Sequence, residues 1–260
     1  MLIRSASGLR GIAKDHFTPE LIDKYISAFI NTQNIKSCVI GRDGRPSGKQ
    51  IALWVIDSLH KKGVNVDNCG LATTPTMQIM TEKENYDGGI VITASHNPSE
   101  YNGLKFLQND GTFLSPEQCE ELFKAVDQNI SVENSESLGV VSDYSTANKE
   151  HIHKVLSAKC IDVESVIQKK FTVVIDAVNG AGSYILPKLC EQLGCKVITM
   201  NCNGDGNFTR IPEPLAENLQ SLEKKVLEVG ADIGFATDPD GDRLSIVSNN
   251  GTAIGEEYSL

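Results

Sequence analysis

An α/β fold built on mostly parallel strands is predicted by three observations. Short apolar, β-branched runs alternate with amphipathic helical stretches along the whole chain, the pattern of strand–helix–strand crossovers. The densest polar motifs each fall directly after such a run, where open α/β sheets place their ligands. At 260 residues, the chain has the length of two compact domains or one large one.

The elements follow in order. Cys38-Val39-Ile40-Gly41 predicts a strand leading into the polar turn Arg42-Asp43-Gly44-Arg45-Pro46-Ser47-Gly48. Ile51, Val55 and Leu59 then recur at helical spacing on a helix that stops at Gly63. Residues 64–71 predict a second strand, and Thr73-Thr74-Pro75 opens a short helix. Gly89-Ile90-Val91-Ile92-Thr93 is a third, β-branched strand that ends at Ala94-Ser95-His96-Asn97-Pro98. Gly103 to Leu107, followed by Asn109-Asp110-Gly111, predicts a hairpin. Ser115-Pro116-Glu117-Gln118 predicts a capping box at the start of the next helix. Residues 128–142 are polar without a clear period, and a domain boundary is placed after them. The second half repeats the order: strand Phe171 to Asp176, the Gly-rich turn Asn179-Gly180-Ala181-Gly182, a helix to Gly194, strand Cys195 to Met200, a helix from Leu215 to about Val229, and strand Ala231 to Thr237.

Composition narrows the function classes. The chain is 40% hydrophobic and 22% charged, the balance of a folded globular protein and not of a disordered one. No run approaches the ~18 apolar residues of a membrane span, and Met1-Leu2-Ile3-Arg4-Ser5 lacks the apolar core of a secretory leader. The expectation is a cytoplasmic protein with no membrane partner. With 24 Lys and Arg against 34 Asp and Glu, the net charge of −10 opposes binding to nucleic acid. A small phosphorylated ligand remains compatible, where a few cationic side chains converge with backbone N–H groups. The seven cysteines form no C-x-x-C pair and have no His at zinc-like spacing. They are read as reduced thiols, with Cys38 in the core.

Asp238, Asp240 and Asp242 alternate with Pro239 and Gly241 directly after a strand. Pro239 fixes one φ and Gly241 removes a side chain, so three carboxylates can face one point. Alone they would repel one another; a hard, oxygen-preferring divalent ion neutralises them, and Mg²⁺ also keeps positions for water and phosphate. An acidic surface turn is the competing reading, since Asp-Pro and Asp-Gly are common turn formers. An EF-hand is excluded, because Arg243 and Asn249 stand where it needs Gly and Glu. A phosphatase with Asp238 as nucleophile is the lesser rival. Ser95 lies between a strand and Pro98, which forces Asn97 into an extended conformation, so its loop is expected to be rigid and exposed. The G-x-S-x-G elbow of acyl transfer is absent. A Ser/Asn-rich turn with a hydrogen-bonded His96 is the structural alternative.

Together these motifs resemble the α-D-phosphohexomutase superfamily of phosphoglucomutases, phosphomannomutases and phosphoglucosamine mutases. The resemblance rests on Ser7-Gly8-Leu9-Arg10-Gly11-Ile12, on Thr93 to Pro98 continued by Tyr101-Asn102-Gly103-Leu104-Lys105-Phe106, and on Asp238 to Arg243, in that order. Pro212-Glu213-Pro214-Leu215 with Asn218-Leu219 adds to it. It implies two tandem three-layer α/β domains with mixed, mostly parallel sheets: residues 1–147 with a phosphoserine loop and 148–252 with a metal loop, while 253–260 begin a third domain. It further implies that Ser95 carries a phosphate and that Asp238, Asp240 and Asp242, with a phosphoserine oxygen, hold Mg²⁺. A phosphoserine brings roughly −1.5 to −2 charges, which beside three carboxylates calls for the cation. Lys105 is implied as the acid/base on the sugar hydroxyl, Arg10 and Arg243 as braces for phosphoryl oxygens, and His96 as an aid to proton transfer or a prop for the loop. Without the resemblance, Lys105 reads as an edge-strand charge, Arg10 as a solvated loop residue and Arg243 as a partner of its neighbouring aspartates. Arg42 and Arg45 are read as surface residues, with positive potential near a cleft as the alternative.

The implied reaction interconverts the 1-phosphate and 6-phosphate of glucose or mannose through phospho-Ser95 and a sugar 1,6-bisphosphate that turns over without leaving. Glucosamine phosphate is the alternative substrate within the superfamily. A Mg²⁺-dependent phosphatase and a non-catalytic sugar-phosphate-binding module are the alternatives outside it. Superfamily members have four domains, reading the sugar ring in the third and gripping the distal phosphate in the fourth, so the resemblance covers the first half of an enzyme. The expected partners are a small phosphorylated sugar and the C-terminal domains of the same polypeptide. Residues 256–260 are read as the start of a helix, and the chain alone is expected to fold and bind Mg²⁺ with little mutase turnover.

Overall fold

The computed structural model describes residues 2–5, 8–82 and 86–255. Ser7 of the opening motif and the helix expected at residues 256–260 lie outside them. The chain divides into two compact units, one of Met1–Ala94 with Glu100–Ala147, the other of Ser95–Ser99 with Asn148–Leu260. Among the described residues no helix is long and apolar enough to cross a membrane.

In the first unit β1 (Ile3–Ser5), β2 (Gly8–Ile12), β3 (Ser37–Arg42), β4 (Asn65–Leu71), β5 (Gly88–Ile92), β6 (Tyr101–Gln108) and β7 (Val141–Asp143) form one sheet in the order β1-β2-β6-β5-β3-β4-β7. β3 runs parallel to β4 and β5, and β4 to β7. β6 lies antiparallel between β2 and β5, and β1 antiparallel to β2. The helices are α1 (Ala13–His16), α2 (Pro19–Gln33), α3 (Gly48–Lys61), α4 (Thr74–Glu82) and α5 (Pro116–Asp127). Alternating side chains divide each inner strand between two cores. Cys38, Ile40, Ile90, Ile92, Leu104 and Phe106 pack with Ile22, Phe29, Val55, Leu59 and Leu122 from α2, α3 and α5. Val39, Val91 and Leu107 pack on the other face with Met77 and Met80 from α4. Burial on both faces is why these strands read as continuous apolar runs.

Local chemistry accounts for the helix ends. At α5 the expected capping box is present: Gln118 N donates to Ser115 Oγ at 3.3 Å and Ser115 N to Gln118 Oε1 at 2.8 Å. Residues 19–33, for which no element was expected, form α2. Thr18 Oγ1 accepts from Leu21 N at 3.2 Å, Pro19 opens the first turn, and Ile22, Tyr25, Ile26 and Phe29 share the buried stripe. The hairpin expected after Gly103 is present, with a short second arm. Gly111 N closes the turn on Gln108 O at 2.9 Å, and the short return arm pairs with the end of β6 around the bridge Leu107↔Phe113, Gln108 N donating to Thr112 O at 2.8 Å and Leu114 N to Phe106 O at 3.2 Å.

In the second unit β8 (Thr172–Asp176), β9 (Lys196–Met200), β10 (Ile233–Thr237) and β11 (Leu244–Ser248) form a sheet in the order β11-β10-β8-β9. β8 is parallel to β9 and β10, and β11 is antiparallel to β10. α6 (Ala147–Leu156) and α7 (Val163–Lys169) precede the sheet, while α8 (Gly182–Gln192) and α9 (Gln220–Val229) cover its two faces. Val173 and Ile175 pack with Cys190 of α8, whereas Val174, Ala236 and Val247 pack with Leu222 and Val226 of α9. The fold class is as expected: two α/β units with mixed sheets between helical layers. The helix expected from Leu215 begins at Gln220, after a 3₁₀ turn at Ala216–Asn218.

Candidate active site

Within the second unit, the turn after β10 gathers the three aspartates. One carboxylate oxygen from each of Asp238, Asp240 and Asp242 lies within 4.8 Å of the others. Asp238 and Asp240 are fully buried and Asp242 is exposed. Gly241 N closes the turn on Asp238 O at 3.2 Å, and Arg243 N donates to Asp238 Oδ1 at 3.2 Å. Behind the turn, Ala181 N donates to Pro239 O at 2.7 Å. A Cβ on Gly180 would stand 2.4 Å from that same oxygen, so only glycine lets the two loops meet this closely.

Two ionised carboxylates at that separation repel by at least about 3 kcal/mol at an effective dielectric of about 20. Burial, then Asp240 and Asp242, hold the Asp238 carboxyl well above the usual carboxylate range, with a smaller opposing effect from the Arg243 N–H. Three hard oxygen donors, two of them buried, suit a small divalent cation. An ordinary acidic surface turn has no need to bury its carboxylates.

Ser95 belongs to the same unit. Its Oγ donates to Asp238 Oδ2 at 3.3 Å and lies 3.3 Å from His96 Nδ1. The expectation of an exposed serine is corrected: Ser95 is only 4% exposed, and exposure begins at Pro98. Its backbone is left-handed, with φ of 51°. For serine that conformation costs about 1–3 kcal/mol and persists only where the surroundings enforce it.

Lys105 and Arg10 lie in the first unit. In the β2–β6 register Leu9 pairs with Leu104 and Arg10 with Gly103. Leu9 and Leu104 belong to one core, so Arg10 and Lys105 share the opposite face of the sheet. A Cβ on Gly103 would come 3.2 Å from Arg10 Cγ, so its absence makes room for the arginine stem. Lys105 is 3% exposed, with Nζ 5.5 Å from the centre of the Phe113 ring. It sits on an inner strand, which removes the edge-strand reading.

Arg243 directs its guanidinium to Glu213, with Nη1 to Oε1 at 2.5 Å, which gives the Pro212-Glu213-Pro214 segment a contact to the residue that follows the aspartate turn. Three residues went unrecognised as part of the site: Asp176, Arg210 and Gly180. Arg210 Nε donates to Asp176 Oδ2 at 3.2 Å, Nη2 to Thr237 O at 2.7 Å and Nη1 to Ile211 O at 3.1 Å. One nearly buried guanidinium thus ties the ends of β8 and β10 together just ahead of Asp238. The two partners that make this tie, Asp176 and Thr237, lie 34 and 27 residues away in the chain, so no local pattern announces it.

The surface reading of Arg45 is corrected: its side chain and that of Asp43 are wholly buried as an ion pair, Nε to Oδ2 at 2.9 Å. Arg42 is partly buried and donates to Asp43 O at 2.9 Å. Cys38 and Cys190 are buried as core thiols, and burial pushes the Cys190 thiol up to about 12.

Residues 1–133 match the family model described as phosphoglucomutase/phosphomannomutase, alpha/beta/alpha domain I, and residues 149–251 match that of alpha/beta/alpha domain II. The chain is 39% identical to a phosphoglucomutase/phosphomannomutase of Thermococcus kodakarensis over 95% of its own length and 55% of that protein's. It is 35% identical to a probable phosphoglucosamine mutase of Methanopyrus kandleri over 98% of its length and 55% of that protein's. A crystal structure of a phosphoglucomutase/phosphomannomutase family protein from Burkholderia thailandensis superposes with a TM-score of 0.80 at 28% identity, over 97% of this chain and 57% of that one. The chain spans just over half the length of these relatives. With family models matched across both units and both motif loops, the chain belongs to the phosphoglucomutase/phosphomannomutase family.

Proposed function

We propose that these 260 residues carry the phosphoryl-transfer centre of a cytoplasmic phosphohexomutase that interconverts the 1-phosphate and 6-phosphate of glucose or mannose. The observation that carries this reading is the placement of Ser95 Oγ 3.3 Å from Asp238 Oδ2, in a loop held against three convergent carboxylates. Glucosamine phosphate is the alternative substrate, favoured by the name of the M. kandleri relative.

Ser95 Oγ is the carrier. In the forward step the P–Oγ bond breaks as the phosphoryl group bonds to the free sugar hydroxyl, whose proton passes to the neutral Lys105 amine, while the departing Ser95 Oγ takes a proton from solvent. When Ser95 recovers the other phosphate, its hydroxyl proton returns to solvent as Oγ bonds to phosphorus, and the Lys105 ammonium protonates the departing sugar oxygen. Arg10 and Arg243 brace phosphoryl oxygens, and His96, 3.3 Å from Ser95 Oγ, orients the serine. Asp238, Asp240 and Asp242 would hold Mg²⁺ with a phosphoserine oxygen, supplying charge neutralisation for the transferred group. The sugar ring and distal phosphate fall to chain beyond these two units, in keeping with the relatives' greater length, so the 260 residues alone load slowly and turn over little.

Incubating the chain with Mg²⁺ and excess glucose 1,6-bisphosphate is expected to add one phosphate, placed on Ser95 by peptide mass mapping. Label on another serine contradicts the carrier assignment, and release of free phosphate through an acid-labile adduct on Asp238 supports a phosphatase instead.

A further inference from the structure

The buried pair Asp43–Arg45 lies just past β3 and takes no part in the chemistry proposed above. Asp43 Oδ1 accepts from Arg45 N at 2.9 Å, and Oδ2 accepts both Arg45 Nε at 2.9 Å and Thr93 Oγ1 at 2.7 Å. Asp43 N donates to Ile92 O at 3.1 Å, while Arg45 Nη1 donates to Tyr101 O at 3.2 Å. Thr93 and Tyr101 are the residues at which the chain leaves β5 and enters β6, with the Ser95 loop between them. Burying an ion pair carries a desolvation penalty that only near-ideal geometry offsets, so such a pair is a poor general stabiliser. It does fix the positions of the groups it touches, and here those are both ends of one loop. That loop needs fixing, because Ser95 holds a left-handed backbone that serine does not favour.

We propose that Asp43 and Arg45 are positioning residues for Ser95, clamping the 94–100 loop through Thr93 and Tyr101 so that its strained serine stays in one conformation. The catalytic meaning of this clamp rests on the phosphoserine reading; the clamp itself does not.

The test uses Thr93→Val, which deletes one hydroxyl and leaves the ion pair, with Thr93→Ser as the conservative rescue. Hydrogen exchange of peptides covering 94–100 is expected to speed up by about tenfold or more in Thr93→Val, to return to the wild-type rate in Thr93→Ser, and to change by less than about twofold elsewhere in the seven-stranded sheet. The rate of phosphate uptake by Ser95 from glucose 1,6-bisphosphate should fall by about tenfold or more at saturation, with the half-saturating concentration within about twofold. Should Thr93→Val fail to fold, Arg45→Lys, which keeps the charge and loses the Nη1 contact to Tyr101, is read the same way. Exchange in 94–100 that is unchanged, or raised evenly over the whole sheet, overturns the clamp. A loosened loop with undiminished uptake overturns its role in positioning. If wild-type chain takes up no phosphate on Ser95, the phosphoserine reading fails instead, and the exchange comparison still decides the clamp.

Discussion

Replacing Asp240 by asparagine is expected to weaken Mg²⁺ binding by about a hundredfold or more, because affinity for a hard cation scales with the number of charged oxygen donors. The substitution keeps the shape of the turn. The same change should make the metal-free chain more stable, the opposite of what loss of a useful buried contact would do. Burial, then the charges of Asp240 and Asp242, push the Asp238 carboxyl up, so its folded pKa lies above its unfolded one. Between those two values the native state binds more protons than the unfolded chain, and stability falls as pH rises through that window. Asp240→Asn removes one of the opposing charges, which should raise the melting temperature in chelator and flatten its decline with pH. Calorimetric Mg²⁺ titration and melts in chelator measure both effects. Wild-type affinity in the variant would mean that the aspartates are only a crowded turn.

Lys105→Met should slow phosphate uptake by Ser95 about 10²- to 10⁴-fold, the usual contribution of a positioned general acid, while Mg²⁺ affinity stays at the wild-type value. Methionine matches the buried stem beside Phe113 and keeps β6 packed. Uptake is the appropriate reaction, because the departing sugar oxygen needs a proton as its bond to phosphorus breaks. Single-turnover labelling at saturating bisphosphate separates this effect from binding. A loss smaller than about threefold would assign Lys105 to phosphate contact or to packing, and the acid/base role would pass to another group.

The parts of this site that could be read from the sequence are those whose cause is local. Asp238, Asp240 and Asp242 announce themselves by spacing, Ser115 and Gln118 by their capping pattern, and Val39, Ile90 and Val91 by β-branched runs bounded by turns. What escaped depends on partners distant in the chain. Arg45 occupies a turn rich in glycine and charge, and nothing nearby foretells that Asp43, Thr93 and Tyr101 will enclose it. Arg210 is silent for the same reason. The Asn109-Asp110-Gly111 turn was legible for the opposite reason: its bonds, Gly111 N to Gln108 O and Gln108 N to Thr112 O, join residues a few positions apart. α2 had local signals in Thr18, Pro19 and the spacing of Ile22, Ile26 and Phe29, and those were available to be read.

On the proposed mechanism, the aspartates and the phosphate on Ser95 share one metal ion. Mn²⁺ in place of Mg²⁺ tests it most directly, since its unpaired electrons broaden the ³¹P resonance of any phosphate it touches. Trace Mn²⁺ added to the phospho-Ser95 chain is expected to broaden the phosphoserine signal beyond detection, and Asp240→Asn should restore a sharp line at the same Mn²⁺ concentration. A phosphoserine line that stays sharp while Mn²⁺ is bound to the aspartates would contradict the claim and separate the metal site from the carrier serine.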